Sequence, residues 1–269
     1  MEKAMTSTVK STPVCSRMLR AAPPWVPPIL LAGVVLLAWA VTASLADSAV
    51  YPGPIEALQS LLSDIGSSRL QDSIVDTTRV LLFSYLAAVA VGSIAGMLLG
   101  LSAFWSTATL PVVYALNSIP KIVLYPIFLL FLGIGDFSRG SFAFVSGVLP
   151  MFLIMVEATS NVSRLHLKPA ASLGMSRISL MRRIVVPSVL PSFASGMRLC
   201  FGLTLIGLIL AEMFSSSTGL GYELLRNLSL ARVEDILGQV ILIGLLALIP
   251  TFALQYLEIR IRNRYEVAP

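Results

Sequence analysis

Charge is scarce in this chain. Of 269 residues only 12% are Asp, Glu, Lys or Arg, against 56% apolar, and the mean hydropathy is +0.86. A soluble domain carries about twice that charge. Histidine occurs once, as His166 in a polar, basic interval. A membrane-embedded protease would want a histidine at membrane depth, so that class is disfavoured. Cysteine occurs twice. Cys15 lies in the polar N-terminal tail and Cys200 in an apolar run, so no bridge and no metal-site spacing is read. The phosphate-cradling G-x-x-x-x-G-K-[ST], the G-x-S-x-G elbow and H-E-x-x-H are all missing. No catalytic residue, metal or cofactor is therefore expected, and the chain is read as a non-enzyme. Carboxylates are nearly absent from the apolar runs, where an ion-coupled carrier would place them; Glu157 and Glu212 stand at run ends. The net charge of +5 does not point to nucleic acid. Lys and Arg collect at the ends of apolar runs, as the positive-inside rule predicts.

What is present is a series of continuous apolar runs, several of about 18 residues or more. Such runs read as helices; a membrane barrel would alternate instead. The expected fold is an all-α polytopic membrane protein with six transmembrane helices and both termini cytoplasmic. Residues 1–28 are basic and Pro-rich and read as a disordered cytoplasmic tail. Residues 29–46 form the first span; a cleaved signal peptide is the alternative, with Ser44-Leu45-Ala46 as its cleavage site. Residues 47–75 form an outer loop. In it Ile55, Leu58, Leu61, Leu62 and Ile65 recur at helical spacing, which reads as an amphipathic helix on the membrane surface or a packed loop helix.

The second span covers 80–104 and carries Gly92, Gly96 and Gly100 on one face, suited to close helix packing within the chain or between subunits. Residues 102–109 read as an inner loop. The third run, 110–132, is interrupted by Pro111, Pro120 and Pro126 and holds Asn117 and Lys121. An ionisable residue at that depth is a candidate for a translocation path. Its alternative is a lysine that snorkels to the interface. Residues 133–140 make an outer loop, and 141–156 the fourth span. The fifth and sixth spans, 193–214 and 236–257, flank an outer loop at 215–235.

Between the fourth and fifth spans lies a basic interval, Lys168 to Gly202. Pro169 suits a first helical turn, Gly174 permits a corner, and Ile178, Met181, Ile184 and Val185 share one side of a second short helix. Pro187 and Pro191 are expected to stop that helix. Arg177, Arg182 and Arg183 fall elsewhere on it. Two short helices around a glycine corner, on the cytoplasmic side, read as a docking element.

This interval resembles the cytoplasmic signature loop of ABC importer permeases, E-A-A-x-x-x-G followed by I-x-L-P. The match reads Lys168-Pro169-Ala170-Ala171-Ser172-Leu173-Gly174, then Ile184-Val185-Val186-Pro187. Ser118-Ile119-Pro120-Lys121, Phe131-Leu132-Gly133-Ile134-Gly135, Ala211-Glu212-Met213 and Gly219-Leu220-Gly221-Tyr222 resemble the branch importing nitrate, taurine, alkanesulfonates and some vitamin precursors. The likeness runs from about Asp76 to Arg264, the expected permease core of residues 76–264. It implies the MetI-like permease fold in a bacterial inner membrane. It also implies two ABC ATPase subunits and an extracytoplasmic substrate-binding protein as partners, and a second permease subunit, identical or unlike. Through coupling helices at about 168–186, ATP-driven closure would switch the path. Ala170 and Gly174 match the motif's second Ala and its Gly, and Pro187 its terminal Pro. Lys168 and Pro169 depart from it, reversing a charge that suits a helix N-terminus. Other readings stay open: the same class for a pyrimidine or riboflavin-type precursor, or a secondary carrier or channel that uses no ATP.

Overall fold

The computed structural model describes residues 26–46, 51–172 and 176–265. Contacts divide the chain into two units, 1–56 and 57–269. In the first, α1 (Val26–Leu45) is apolar almost throughout. Pro27 and Pro28 fall in its first turn, where a missing N–H costs nothing. The Trp39 indole Nε1 of α1 donates to the Pro52 carbonyl at 3.2 Å, and beyond the helix the Gly53 amide donates to Glu56 at 2.7 Å.

The second unit is all helical among the described residues. It comprises α2 (Pro54–Asp64, which begins in the first unit), α3 (Ser68–Gly100), α4 (Ala103–Ser118), a 3-10 turn at Lys121–Leu124 and α5 (Tyr125–Leu132). Then come α6 (Asp136–Ser172), α7 (Arg177–Leu180), a π turn at Met181–Val185, α8 (Val186–Ser215), α9 (Leu220–Ser229) and α10 (Val233–Tyr265). Among the described residues four helices are long and apolar enough to cross a membrane, and a fifth segment qualifies if α4 and α5 count as one bent span.

Packing centres on α3, α6 and α8. Lipid tails are as apolar as leucine, so membrane helices associate through close van der Waals fit and polar contacts. Gly92, Gly96 and Gly100 supply that fit: a Cβ on Gly96 would stand 2.7 Å from Met155 Cβ and 2.8 Å from the Phe152 carbonyl. At Gly100 the obstacles are Thr159 Cβ and the Val156 carbonyl, both at 2.8 Å. All three glycines thus face α6 of the same chain. On the other side of α6, a Cβ on Gly207 would meet Ser146 Cβ at 2.8 Å. Ala88, Met151, Met155, Val185, Val189 and Cys200 fill the space between, all buried.

Local boundaries differ from the sequence expectations in several places, among them the start of α3 at Ser68, inside the expected outer loop. The Ser102 hydroxyl caps α4 by accepting from the Trp105 amide at 3.4 Å, so residues 103–109, expected as a loop, are helical. The connection expected at 133–140 shrinks to Gly133–Gly135, since α6 begins at Asp136. Residues 168–172 form no separate short helix; they are the end of the 37-residue α6. Lastly, Pro187 and Pro191 do not stop the second helix, which continues through the π turn into α8. In the π turn the Val186 amide reaches back five residues to the Met181 carbonyl. That wider turn gives the Pro187 ring room where an α turn would clash with the carbonyl four residues back.

Candidate functional site

Three polar regions interrupt this apolar body. The first is the break between α4 and α5. Ile119 precedes proline and is held out of the helical region, at φ −69° and ψ 129°. The chain then restarts as the 3-10 turn, and the two helical arms meet at 86°. At this corner Lys121 Nζ donates to Asn117 Oδ1 at 3.0 Å, and both side chains are half-buried. Asn117 and Lys121 are thus brought together, and no carboxylate pairs with Lys121 among the described residues. One turn before Asn117, the exposed Tyr114 hydroxyl donates to the exposed Glu157 carboxylate on α6. Tyr114 and Glu157 were not singled out from the sequence. The three-residue spacing from Asn117 on α4 was the signal that could have found Tyr114.

The second region is the turn between α6 and α8. Gly174 lies outside the described residues, as do the side chains of Lys168, Pro169, Ala170 and Arg177. Arg182 is exposed on the π turn. Arg183, Ile184, Pro187 and Ser188 line a groove of about 300 Å³, closed on one side by Tyr265 at the end of α10. The turn and the C-terminal arginines therefore share one end of the bundle. A buried carboxylate locks the neighbouring part of α10 to α8. Glu258 accepts from the Ser195 hydroxyl at 2.7 Å and pairs with Arg198 at 2.9 Å and Arg262 at 3.2 Å.

The third region, at the opposite end, was not assembled by sequence reasoning. Arg139, 2% exposed, donates to Asp76 on α3 and Asp136 on α6, both at 2.6 Å. Its other Nη reaches Ser216 Oγ at 3.0 Å and the Thr218 carbonyl at 3.3 Å. The fully buried Glu212 of α8 lies 3.6 Å from Arg139. Glu212 accepts from the Gly221 amide at 2.9 Å and from the Thr77 hydroxyl. Gly219, at φ +100°, lies against this carboxylate; a Cβ there would be 2.5 Å from Glu212 Cδ and conformationally strained as well. A buried arginine fork shared by two carboxylates is a strong, directional tie. It joins α3, α6 and α8 to the loop before α9. The fragments Ala211-Glu212-Met213 and Gly219-Leu220-Gly221 were its only trace in the sequence.

Among the described residues none of the three regions holds a nucleophile with a base, and no cluster of metal-ligating residues occurs. The chemistry on offer is binding and movement. Residues 88–264 match the family model described as the binding-protein-dependent transport system inner membrane component. The chain is 24% identical over 238 residues to the taurine transport system permease protein TauC of Escherichia coli, covering 86% of both chains. It is 23% identical over 209 residues to the nitrate import permease protein NrtB of Synechococcus elongatus, covering 74% of this chain and 75% of that one. It is 27% identical over 196 residues to the formylaminopyrimidine transport permease protein ThiX of Halalkalibacterium halodurans, covering 68% and 78%. With two thirds of its length matched, the chain belongs to the binding-protein-dependent inner-membrane components, the non-catalytic permease subunits of ABC importers, which work with separate ATPase and solute-binding proteins.

Proposed function

We propose that this permease carries a small anion or small polar organic solute inward, and that residues 168–187 couple it to its ATPase partners. The observation that carries this reading is the basic interval between α6 and α8, whose residues 168–172 end α6 and whose π turn runs directly into α8. A push on the turn is transmitted along α8 without an intervening loop. Arg182 and Arg183 offer charge to an acidic groove, and Tyr265 sits beside them. Lys168 reverses the usual charge of the motif, so its contact on the ATPase is expected to be acidic.

Six spans follow if α1 and the bent α4–α5 segment each cross once. The basic turn and the C-terminal arginines then lie in the cytoplasm with the N-terminus, and the Arg139 network faces outward. This orientation places Lys and Arg inside, as insertion favours. Two identical copies are proposed to form the path, with the exposed α4–α5 segment toward the pathway. Lys121 at the break supplies positive charge there. The relative named for nitrate supports a small anion, and the one named for taurine a small polar organic solute. The relative named for formylaminopyrimidine supports a vitamin precursor as the second reading.

The test is co-purification with the ATPase followed by cysteine cross-linking from Arg182→Cys. A cross-link to the ATPase that changes in yield on ATP binding is expected. Stable assembly with no cross-link from position 182, or from a second reporter at Ser188→Cys, would refute the docking assignment.

A further inference from the structure

Outside the Arg139 network, two charges stand out: Lys121 at the α4–α5 break and Glu157 on α6. Both are reached by neutral partners only, Asn117 and Tyr114, and no opposite charge pairs with either among the described residues. Asn117 lies one turn from Tyr114 on α4 and accepts from Lys121 just past the break, and Glu157 meets Tyr114 from α6. Glu157 is exposed although it directly follows the buried Val156 inside a helix that qualifies as a span.

A charge on a lipid-facing surface is costly, so ionisable residues in spanning helices face water or protein. Tyr114 and Glu157 could serve merely to clamp α4 onto α6. A glutamine would do that without a charge to solvate, and a clamp gives no reason for an unpaired lysine two turns away. The rest of the α4–α5 segment buries only Ser106 and Tyr125. The segment is thus largely uncovered within this chain.

We propose that Glu157, presented by Tyr114, is a second solute-contacting station on the transport path, opposite in sign to the Lys121–Asn117 station and in series with it. The assignment rests on the reading of Lys121 as a path residue and extends it. A path with a cationic and an anionic station suits a solute that carries both an anionic group and a cationic or hydrogen-donating one. Lys121 holds the former. The Glu157 carboxylate accepts from the latter, exchanging the Tyr114 hydroxyl for the solute's donor.

The field at each station is readable without knowing the natural solute. In the assembled transporter lacking Cys15 and Cys200, single reporters are placed at Ser118→Cys, beside Lys121, and Asn161→Cys, one turn from Glu157. Leu98→Cys, 60% exposed on α3, is the lipid-facing control. The probes are a trimethylammonium-ethyl and a sulfonatoethyl methanethiosulfonate. At 118 the anionic reagent is expected to react on the order of tenfold faster than the cationic one, and Lys121→Gln removes the preference. At 161 the preference is reversed, and Glu157→Gln removes it. Position 98 reacts with neither. Taurine, used as a dipolar probe, slows labelling at both reporters, whereas nitrate slows it at 118 alone. A reporter at 161 as inert as the one at 98, or a preference unaffected by Glu157→Gln, overturns the second station while a normal result at 118 leaves the path intact. Inertness at 118 as well refutes the path itself. Equal protection of both reporters by nitrate, or none by taurine, contradicts the dipolar solute class.

Discussion

The Thr77 hydroxyl donates to Glu212 at 2.9 Å and accepts from the Leu220 amide at 2.8 Å, bridging α3, α8 and α9. One buried hydroxyl thus satisfies a carboxylate and a helix-entry amide together. Thr77→Val keeps the shape and removes both bonds, leaving the buried Leu220 amide unpaired while Glu212 keeps the Gly221 amide. A loss of about 1–3 kcal/mol is expected. Thermal unfolding in detergent measures it, and Thr77→Ser should restore most of the loss.

Arg139 stands at the centre of the same network. Arg139→Met leaves the buried Glu212 without a cation and strips Asp76 and Asp136 of their buried partner, with only the exposed Arg79 remaining, and a cost of about 3–5 kcal/mol is expected. Arg139→Lys keeps the charge but loses the two-pronged fork, and should fall between Met and the wild type. Melting temperature and monodispersity on size exclusion report the order.

The close contact of α3 and α6 makes a sharp contrast between glycines. Gly96→Ala drives a Cβ into Met155 and the Phe152 backbone and is expected to cost about 1–3 kcal/mol. Gly202→Ala on α8 meets nothing within 4 Å, and gains helix propensity of up to about 1 kcal/mol. Opposite shifts in melting temperature are the expected outcome.

Ser195 and Glu258 lie 63 positions apart and lock α10 to α8 near the basic turn. A double-mutant cycle with Ser195→Ala and Glu258→Gln should return a coupling energy of about 1.5–3 kcal/mol, as for a hydrogen bond to a charged acceptor. A value near zero would mean that Arg198 and Arg262 hold Glu258 without the serine.

The long spans and the basic end were legible because hydropathy and charge are local properties of the chain. The break at 119–120 was legible for the same reason, since Pro120 constrains its own neighbour. The helix at 103–109 was not, because its only marker is the Ser102 cap. The passage of α8 through Pro187 and Pro191 was hidden as well: composition carries no signal for a π turn. The Arg139 network was invisible for a different reason. Asp76 and Arg139 are 63 positions apart and Thr77 and Glu212 are 135 apart, so only folding brings them together. Glu157 read as a span end, and its partner Tyr114 as one more apolar position.

Import driven by ATP through residues 168–187 is tested most directly by solute uptake into proteoliposomes holding the complete transporter and its solute-loaded binding protein. The wild type is compared with Gly174→Asp, with ATP present or withheld. Uptake should require ATP, ignore collapse of the proton gradient, and be lost in Gly174→Asp although the complex still assembles. Normal uptake by that variant, or uptake without ATP that collapses with the proton gradient, would contradict the coupling assignment.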